Sequence, residues 1–136
     1  DYDGIEDIDK TVQFCKDINA YQLQPAVLTP YPGTPVFEQF EDEGRMLTKE
    51  WEYYDMTNVV FKPAKISPAD LQCEFFKAAK NFYSFSGAMK TFKTFGFDAG
   101  MRRLGFWFFT RFGVPYFNHS SEKNNGNLFY RLKHGF

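Results

Sequence analysis

Apolar residues recur along the chain in blocks separated by turn-forming residues. In the first block they stand three or four positions apart, which is the spacing of one face of an α-helix. These positions are Ile5, Ile8, Val12, Cys15 and Ile18. Acidic residues crowd the first turns of the block, where the helix dipole favours negative charge. The pattern predicts a helix over about residues 5–19.

The second block alternates instead of repeating once per turn. Tyr21, Leu23 and Pro25 fall on one side of an extended chain that continues into Ala-Val-Leu-Thr, and this predicts a strand over residues 21–29 that enters a buried sheet. Three prolines and a glycine follow within residues 30–35 and end the strand, because proline cannot donate to a sheet ladder. A helix, a strand and a rigid loop make half of an α/β unit, and a parallel sheet needs partner strands that this chain does not contain.

Two clear helix starts follow the loop. Thr34 is a good N-cap with proline at the first helical position, so a helix is expected over 35–43, ending at Gly44. Ser67-Pro68-Ala69-Asp70 is close to a capping box and predicts a second, stronger helix that runs to about residue 83.

The remaining pattern predicts shorter elements. Residues 58–63 should be extended and closed by their proline. Two helical segments are expected over about 88–95 and 98–112, separated by Gly96. The last twenty residues are polar and predict a loop with a weakly ordered basic tail.

The length and composition limit the class of protein. A chain of 136 residues, 43% of them apolar and 24% charged, with a mean hydropathy of -0.46, has the size and composition of one globular domain. This excludes a multi-domain enzyme and a wholly disordered chain. The longest apolar run, residues 104–109, is far below the ~20 residues of a membrane span. The acidic start without Met indicates a piece of something longer.

Cysteine and charge add two expectations. Cys15 and Cys73 both fall inside predicted helices, and a single pair with no ligand spacing favours two reduced, buried thiols over a disulfide or metal site, in a reducing, cytoplasmic setting. Residues 1–44 carry ten acids and two bases, whereas residues 81–136 carry two acids and eight bases. The two ends could attract one another, or the basic end could meet an anionic partner.

The loop after the predicted strand is the most distinctive candidate site. A stiff Thr29–Pro35 segment presents backbone groups at the carboxyl end of a strand, where α/β folds bind ligands. A rigid turn that only caps the next helix would look the same, so the residues alone leave both interpretations open.

A set of motifs in residues 3–80 resembles the carboxyl-terminal part of radical S-adenosylmethionine enzymes, in the branch with an amino-terminal cobalamin-binding domain. Residues 81–136 match nothing comparable. The motifs are Thr29-Pro-Tyr-Pro-Gly-Thr-Pro35, Glu43-Gly44-Arg45, Trp51, Tyr54-Asp55, Val59-Val60-Phe61-Lys62-Pro63, and Ser67-Pro68 with Leu71.

The resemblance implies an α+β, mostly helical fold. Residues 1–35 would be the last helix and strand of a partial (β/α)6 barrel, and residues 36–136 a helical C-terminal cap with a basic aromatic tail. The last strand and its loop would lie beside the nucleoside and substrate. By position, the cofactor-binding contacts would be Leu28, Thr29, Pro30, Gly33 and Thr34.

The chain also departs from that family. It has no CxxxCxxC motif, so the resemblance implies that S-adenosylmethionine, a [4Fe-4S] cluster and cobalamin belong to the full-length enzyme and that this chain binds none of them and is inert alone. Its expected partners are the rest of its own polypeptide and an unknown small-molecule substrate, with no nucleic acid. Asn58 stands where many relatives have histidine, which argues against a ligand role there.

Other polar and aromatic candidates favour structural roles. His119 and His134 are isolated and predict surface positions. The acids 41–43 predict a solvated face rather than a metal site. Trp51, Tyr53 and Tyr54 could stack on a nucleoside, but packing is the better interpretation.

The segment 101–117 interleaves Arg102, Arg103 and Arg111 with aromatic residues. Such a helix could lie on an anionic membrane surface, although burial against neighbouring helices is favoured. The alternative function is therefore a free-standing helical interaction module whose basic aromatic end binds a membrane surface or a partner.

Overall fold

The computed structural model describes residues 3–113, and five α-helices make up most of that region. They are α1 (Ile5–Asp17), α2 (Pro35–Asp42), α3 (Pro68–Phe82), α4 (Phe85–Phe95) and α5 (Phe97–Phe108). A 3-10 turn covers Trp51–Tyr53, and a π-helical turn over Phe109–Gly113 follows α5. The mostly helical prediction is confirmed. The predicted tail, with His119 and His134, lies outside the described residues.

Side-chain caps start three of the helices. The Thr34 hydroxyl accepts from the N–H of Phe37 at 3.3 Å, and the Ser67 hydroxyl accepts from the N–H of Asp70 at 3.1 Å, as predicted. Ser84 caps α4 in the same way, through the N–H of Gly87 at 3.1 Å. The sequence prediction overlooks this third cap and therefore places the start of the helix at about residue 88, whereas α4 begins at Phe85.

Residues 21–29 do not form the predicted strand. Within residues 3–113 there is no strand, only an isolated antiparallel bridge between Met46 and Phe61. A ladder needs a neighbouring strand, and this part of the chain supplies none. The N–H of Val27 donates instead to the carbonyl of Met56 at 2.7 Å, and Leu23 pairs with a tyrosine hydroxyl. The prediction of a strand is therefore wrong for the described chain.

The first core lies between α1 and α3. Val12 of α1 packs with Ala78, Phe82 and Tyr83, and Cys15 is partly buried beside them. Both cysteines are free thiols of intermediate exposure, and both lie in helices as expected. This packing joins α1, from the predicted barrel part (residues 1–35), to α3, from the predicted C-terminal cap (residues 36–136). The division of the chain into these two domains stays a prediction.

The second core joins the segment before the proline loop, which is Thr29–Pro35, to α2 and to the extended segment predicted over residues 58–63. The buried residues are Val27, Phe40, Val59 and Phe61. The rings of Phe40 and Phe61 stack with centroids 4.9 Å apart, and the Arg45 guanidinium lies 4.3 Å from the Phe40 centroid. The core thus fixes the stretch from which the proline loop leaves.

Helices α4 and α5 form an antiparallel hairpin that turns at Gly96, whose φ of +87° favours glycine. The helices approach so closely that a Cβ on Gly100 would overlap the Phe92 ring. None of the helices within residues 3–113 is long and apolar enough to cross a membrane.

The packing of α5 buries one arginine and corrects the expectation that its aromatic residues are buried. Arg103 is buried and donates to the carbonyls of Ala20 and Phe82 and to the Thr91 hydroxyl. Several aromatic side chains are exposed rather than buried, among them Phe97 at 76% and Phe108 at 60%. Trp107, in contrast, packs partly against the first core.

Candidate functional site

The proline loop is anchored at its start by burial. Pro30 is fully buried, and Val27 lies in the second core. The Thr29 hydroxyl donates to the carbonyl of Val27 at 3.1 Å. The first two loop residues are therefore held by local structure.

The far end of the loop is built around Thr34. Its hydroxyl donates to the carbonyl of Tyr31 at 2.7 Å and accepts from the N–H of Phe37, so both functions serve the turn and α2. Gly33 has a φ of +79° and is exposed, with no atom within 4 Å of the position a Cβ would take. Its backbone is thus open on the surface of the loop.

Aromatic residues fasten the loop to the 3-10 turn. The Tyr31 hydroxyl donates to the carbonyl of Tyr54 at 2.9 Å, and the Tyr54 hydroxyl donates to the carbonyl of Thr48 at 2.8 Å. Burial raises the pKa of Tyr54, and the charge of Glu41 adds to this. The predicted packing role is confirmed for Tyr54, whereas Trp51 lies against its edge and remains 56% exposed.

Asp55 organises the turn that faces the loop. Its carboxylate accepts from the backbone N–H groups of Thr57 and Asn58 and from the side-chain amide of Asn58. Met56 between them has a φ of +65°, and its carbonyl receives the N–H of Val27. The Asn58 amide is therefore engaged in this turn.

An apolar groove of about 470 Å³ runs beside residues 23–28, between α1 and α3. Leu28, 44% exposed, is the one predicted cofactor contact that lines it. Asp7 lies among the lining residues, and its carboxylate accepts from the N–H of Gly4, which lowers its pKa. The groove therefore combines an apolar surface with an ionised carboxylate.

The five predicted contacts do not converge on one cavity in residues 3–113. Leu28 lines the groove, Pro30 is buried and Gly33 is open to solvent. The hydroxyls of Thr29 and Thr34 are bonded within the loop. Their role as S-adenosylmethionine contacts stays a prediction.

The described residues do not fit an iron-sulfur cluster. They contain no group of three or more His, Cys, Asp or Glu side chains that could hold a metal ion. Cys15 and Cys73 lie on different helices, and a cluster of this kind needs several thiolates together.

Three polar residues bond backbone groups of distant segments, in structural roles that the sequence did not predict. Gln72 is buried and bonds the N–H of Val59 and the carbonyl of Thr57. Tyr83 bonds both backbone groups of Leu23. Arg103, the third, donates to the carbonyls of Ala20 and Phe82. Local sequence spacing cannot predict these hydrogen bonds, because the partners are 12 or more positions away in sequence.

Comparison with known proteins links the chain to methyltransferases. It is 30% identical over 82 residues, 60% of the chain, to the bacteriochlorophyllide d C-8(2)-methyltransferase of Chlorobaculum tepidum. It is 37% identical over 65 residues, 48% of the chain, to the C-12(1)-methyltransferase of the same organism. An uncharacterised methyltransferase of Pyrococcus horikoshii is 28% identical over 78 residues, or 57% of the chain.

The aligned region covers 18%, 14% and 17% of those three relatives, respectively. No family model and no solved structure matches the chain. The similarity therefore relates this chain to a small part of each methyltransferase.

Proposed function

We propose that this chain is the carboxyl-terminal part of a methyltransferase that uses S-adenosylmethionine, of the radical class with a cobalamin-binding domain. The observation that carries the proposal is the 30% identity over 60% of the chain with an enzyme of which that region is only 18%. In this proposal the chain closes the barrel of a cytoplasmic enzyme, covers the substrate and is inert alone.

The backbone of residues 23–28 supports a role in closing a sheet. In an extended chain, the N–H groups of alternate residues point to opposite edges. Val27 uses one edge to bond Met56. The N–H groups of Ala26 and Leu28 make no hydrogen bond with residues 3–113, so they are left for a further partner.

The groove beside this segment supports the same role. It exposes apolar side chains of α1, α3 and residues 23–28 along one channel. Backbone groups without hydrogen-bond partners next to an apolar channel form a surface that a strand could cover. We propose a strand from the rest of the same polypeptide as the occupant.

In the proposed enzyme this chain contacts one cofactor, and the rest of the polypeptide holds the other two. The residues that would lie against S-adenosylmethionine are Leu28, Thr29, Pro30, Gly33 and Thr34, and that cofactor would supply the methyl group. The iron-sulfur cluster and cobalamin would be held elsewhere in the polypeptide, because the described residues contain no group that could hold a metal ion.

The test is to extend the coding sequence upstream of Asp1 and produce the longer polypeptide without oxygen. With S-adenosylmethionine labelled in its methyl group and bacteriochlorophyllide d as first acceptor, label should appear in the acceptor or, with other acceptors, in a methylated product. An upstream sequence without a three-cysteine motif, or a reconstituted polypeptide that does not cleave S-adenosylmethionine, would contradict the proposal.

A matched pair of variants tests the groove in that polypeptide. Ala26→Asp places a charge in the groove at a residue that is not a proposed cofactor contact, and it should block closure and activity. Phe14→Asp makes a comparable change on α1, where Phe14 is 61% exposed and does not line the groove. Equal activity of the two variants would remove the groove from the proposal.

A second candidate is the interaction module with a membrane-binding aromatic end. The exposure of Phe97, Phe108 and Phe112 favours it, although the inward position of Arg103 weakens it. Sedimentation with anionic vesicles at low and high salt tests it, because a surface-bound module should pellet at low salt and release at high salt.

A further inference from the structure

A second cavity, of about 290 Å³, lies where the end of α1 meets the start of α4. Its polar lining is basic or neutral: Lys16, Asn19, Ser84, Ser86, Lys90 and Arg103, with Thr91 and Thr94. No carboxylate is among the residues that line it. The cavity thus carries positive charge without an acidic partner in its wall.

Arg103 forms the buried side of this cavity and is 8% exposed. One terminal nitrogen, Nη1, donates to the carbonyl of Ala20 at 2.9 Å, and the other, Nη2, donates to the carbonyl of Phe82 at 3.2 Å. Its Nε is buried and has no hydrogen-bond partner. A buried cation without a counter-ion is costly, and burial lowers the pKa of Arg103 accordingly.

The start of α4 adds positive potential at the same place. The positive end of the helix dipole lies there, a position that favours anions and disfavours cations. A Cβ on Gly87 would lie 3.1 Å from both the Arg103 Nη2 and the Ser84 hydroxyl. The guanidinium therefore lies directly against the first turn of α4, with glycine leaving space between them.

The uncompensated Arg103 charge, the positive end of the α4 dipole and the basic lining would all be stabilised by a bound anion. An oxyanion in the cavity would offset the guanidinium charge and the helix dipole together. It would also give the two lysines an anionic partner. Neither Lys16 nor Lys90 forms an ion pair with a carboxylate of residues 3–113, and Lys16 donates only to the neutral Asn81 amide oxygen at 3.0 Å.

We propose that this cavity binds the oxyanion group, phosphate or carboxylate, of a small ligand. Arg103 supplies the fixed charge from the wall, and Lys16 and Lys90 supply mobile charge. The Ser84 and Ser86 hydroxyls share a hydrogen bond at 3.2 Å, so this pair supplies one neutral donor. The site lies apart from the proline loop and the groove, so it does not depend on the function proposed above.

The test uses the 136-residue chain with inorganic phosphate and with acetate, each titrated at constant ionic strength. Binding is measured by calorimetry and by the chemical shift of the Gly87 amide. One anion should bind saturably and move that amide. Preference for phosphate assigns a phosphoryl ligand, and preference for acetate assigns a carboxylate ligand.

Lys90→Ala and Lys93→Ala are the matched variants. Both residues are exposed on α4 and both changes remove one positive charge, but Lys93 does not line the cavity. Lys90→Ala should weaken binding about tenfold, because it removes a charge-assisted hydrogen bond. Lys93→Ala should change the dissociation constant by less than about twofold.

Gly87→Ala adds an independent check, because its methyl group would occupy the space beside Arg103. Binding should fall in this variant even though no charge is lost. A shift that does not saturate with either anion, or equal weakening by Lys90→Ala and Lys93→Ala, would overturn the proposal and leave Arg103 a purely structural residue.

Discussion

The hydroxyl of Tyr83 holds both backbone groups of Leu23. It donates to the Leu23 carbonyl at 2.7 Å and accepts from the Leu23 N–H at 3.2 Å. In an antiparallel sheet a residue on a neighbouring strand makes this exchange of two hydrogen bonds. Here a side chain at the end of α3 takes the place of the missing strand.

Tyr83→Phe should destabilise the chain by about 1–3 kcal/mol, because it leaves a partly buried N–H and carbonyl without partners while retaining the ring. Urea unfolding measures the loss, and hydrogen exchange should accelerate at residues 21–29 before it does in α3. Tyr21→Phe is the control, since the Tyr21 hydroxyl makes no hydrogen bond with the described residues while its ring packs on Phe95. Similar losses in the two variants would show that the pairing with Leu23 is unimportant.

The same tyrosine should make stability fall at alkaline pH. Burial raises the pKa of Tyr83, only partly opposed by its hydrogen bond to Leu23 and by the charge of Arg103. The native state therefore holds this proton to higher pH than the unfolded chain, whose tyrosines titrate near about pH 10. Its contribution is present below that pH and is lost as pH rises through the native pKa. The difference in unfolding free energy between the parent and Tyr83→Phe should shrink from pH 9 to pH 11, and a constant difference would contradict this.

Gln72→Leu should cost about 2–4 kcal/mol, since the Gln72 amide is the partner of two backbone groups, the Val59 N–H at 2.9 Å and the Thr57 carbonyl at 2.7 Å. Gln39→Leu is the matched change on an exposed helix face and should alter stability by less than about 0.5 kcal/mol. Chemical denaturation of both variants gives the comparison. If Gln72→Leu is neutral, apolar packing in its place compensates for the lost bonds.

Local chemistry explains which elements the sequence could predict. Thr34 and Ser67 indicate where their helices begin, because a capping side chain bonds an N–H only three residues away. The strand prediction for residues 21–29 is wrong because strand pairing is not local. An alternating pattern shows only that a segment can be extended. Whether it pairs depends on distant partners, and Tyr83 is 60 positions from Leu23.

The candidate site was predictable only in part for the same reason. The proline loop was visible as a stiff segment, and its capping role at Thr34 followed from residue type. Neither the groove nor the second cavity could be seen, because each is assembled from segments far apart in the chain. Arg103 and Arg102 look equivalent in sequence, yet helix geometry turns one inward and the other outward.

The two arginines should differ sharply when replaced. Arg103→Ala removes three hydrogen bonds and a stacking contact 4.3 Å from the Phe82 ring, which should cost about 2–4 kcal/mol. Arg102→Ala removes an exposed ion pair with Asp98 and should cost less than about 0.5 kcal/mol. Thermal unfolding of the two variants decides the matter, and comparable melting temperatures would refute the anchoring role of Arg103.

The last prediction separates a binding role of the proline loop from a structural one, and it uses two glycines. Gly33 and Gly44 both have positive φ values, +79° and +64°, with no atom within 4 Å of a Cβ. Gly33→Ala and Gly44→Ala should therefore each cost about 1–2 kcal/mol of backbone strain and lower the melting temperature alike. In the longer polypeptide only Gly33→Ala should also weaken S-adenosylmethionine binding, measured by equilibrium dialysis, because Gly33 alone lies in the proposed contact loop. If both variants bind the cofactor as the parent does, the loop is a turn that caps α2 and the proposed contacts are wrong.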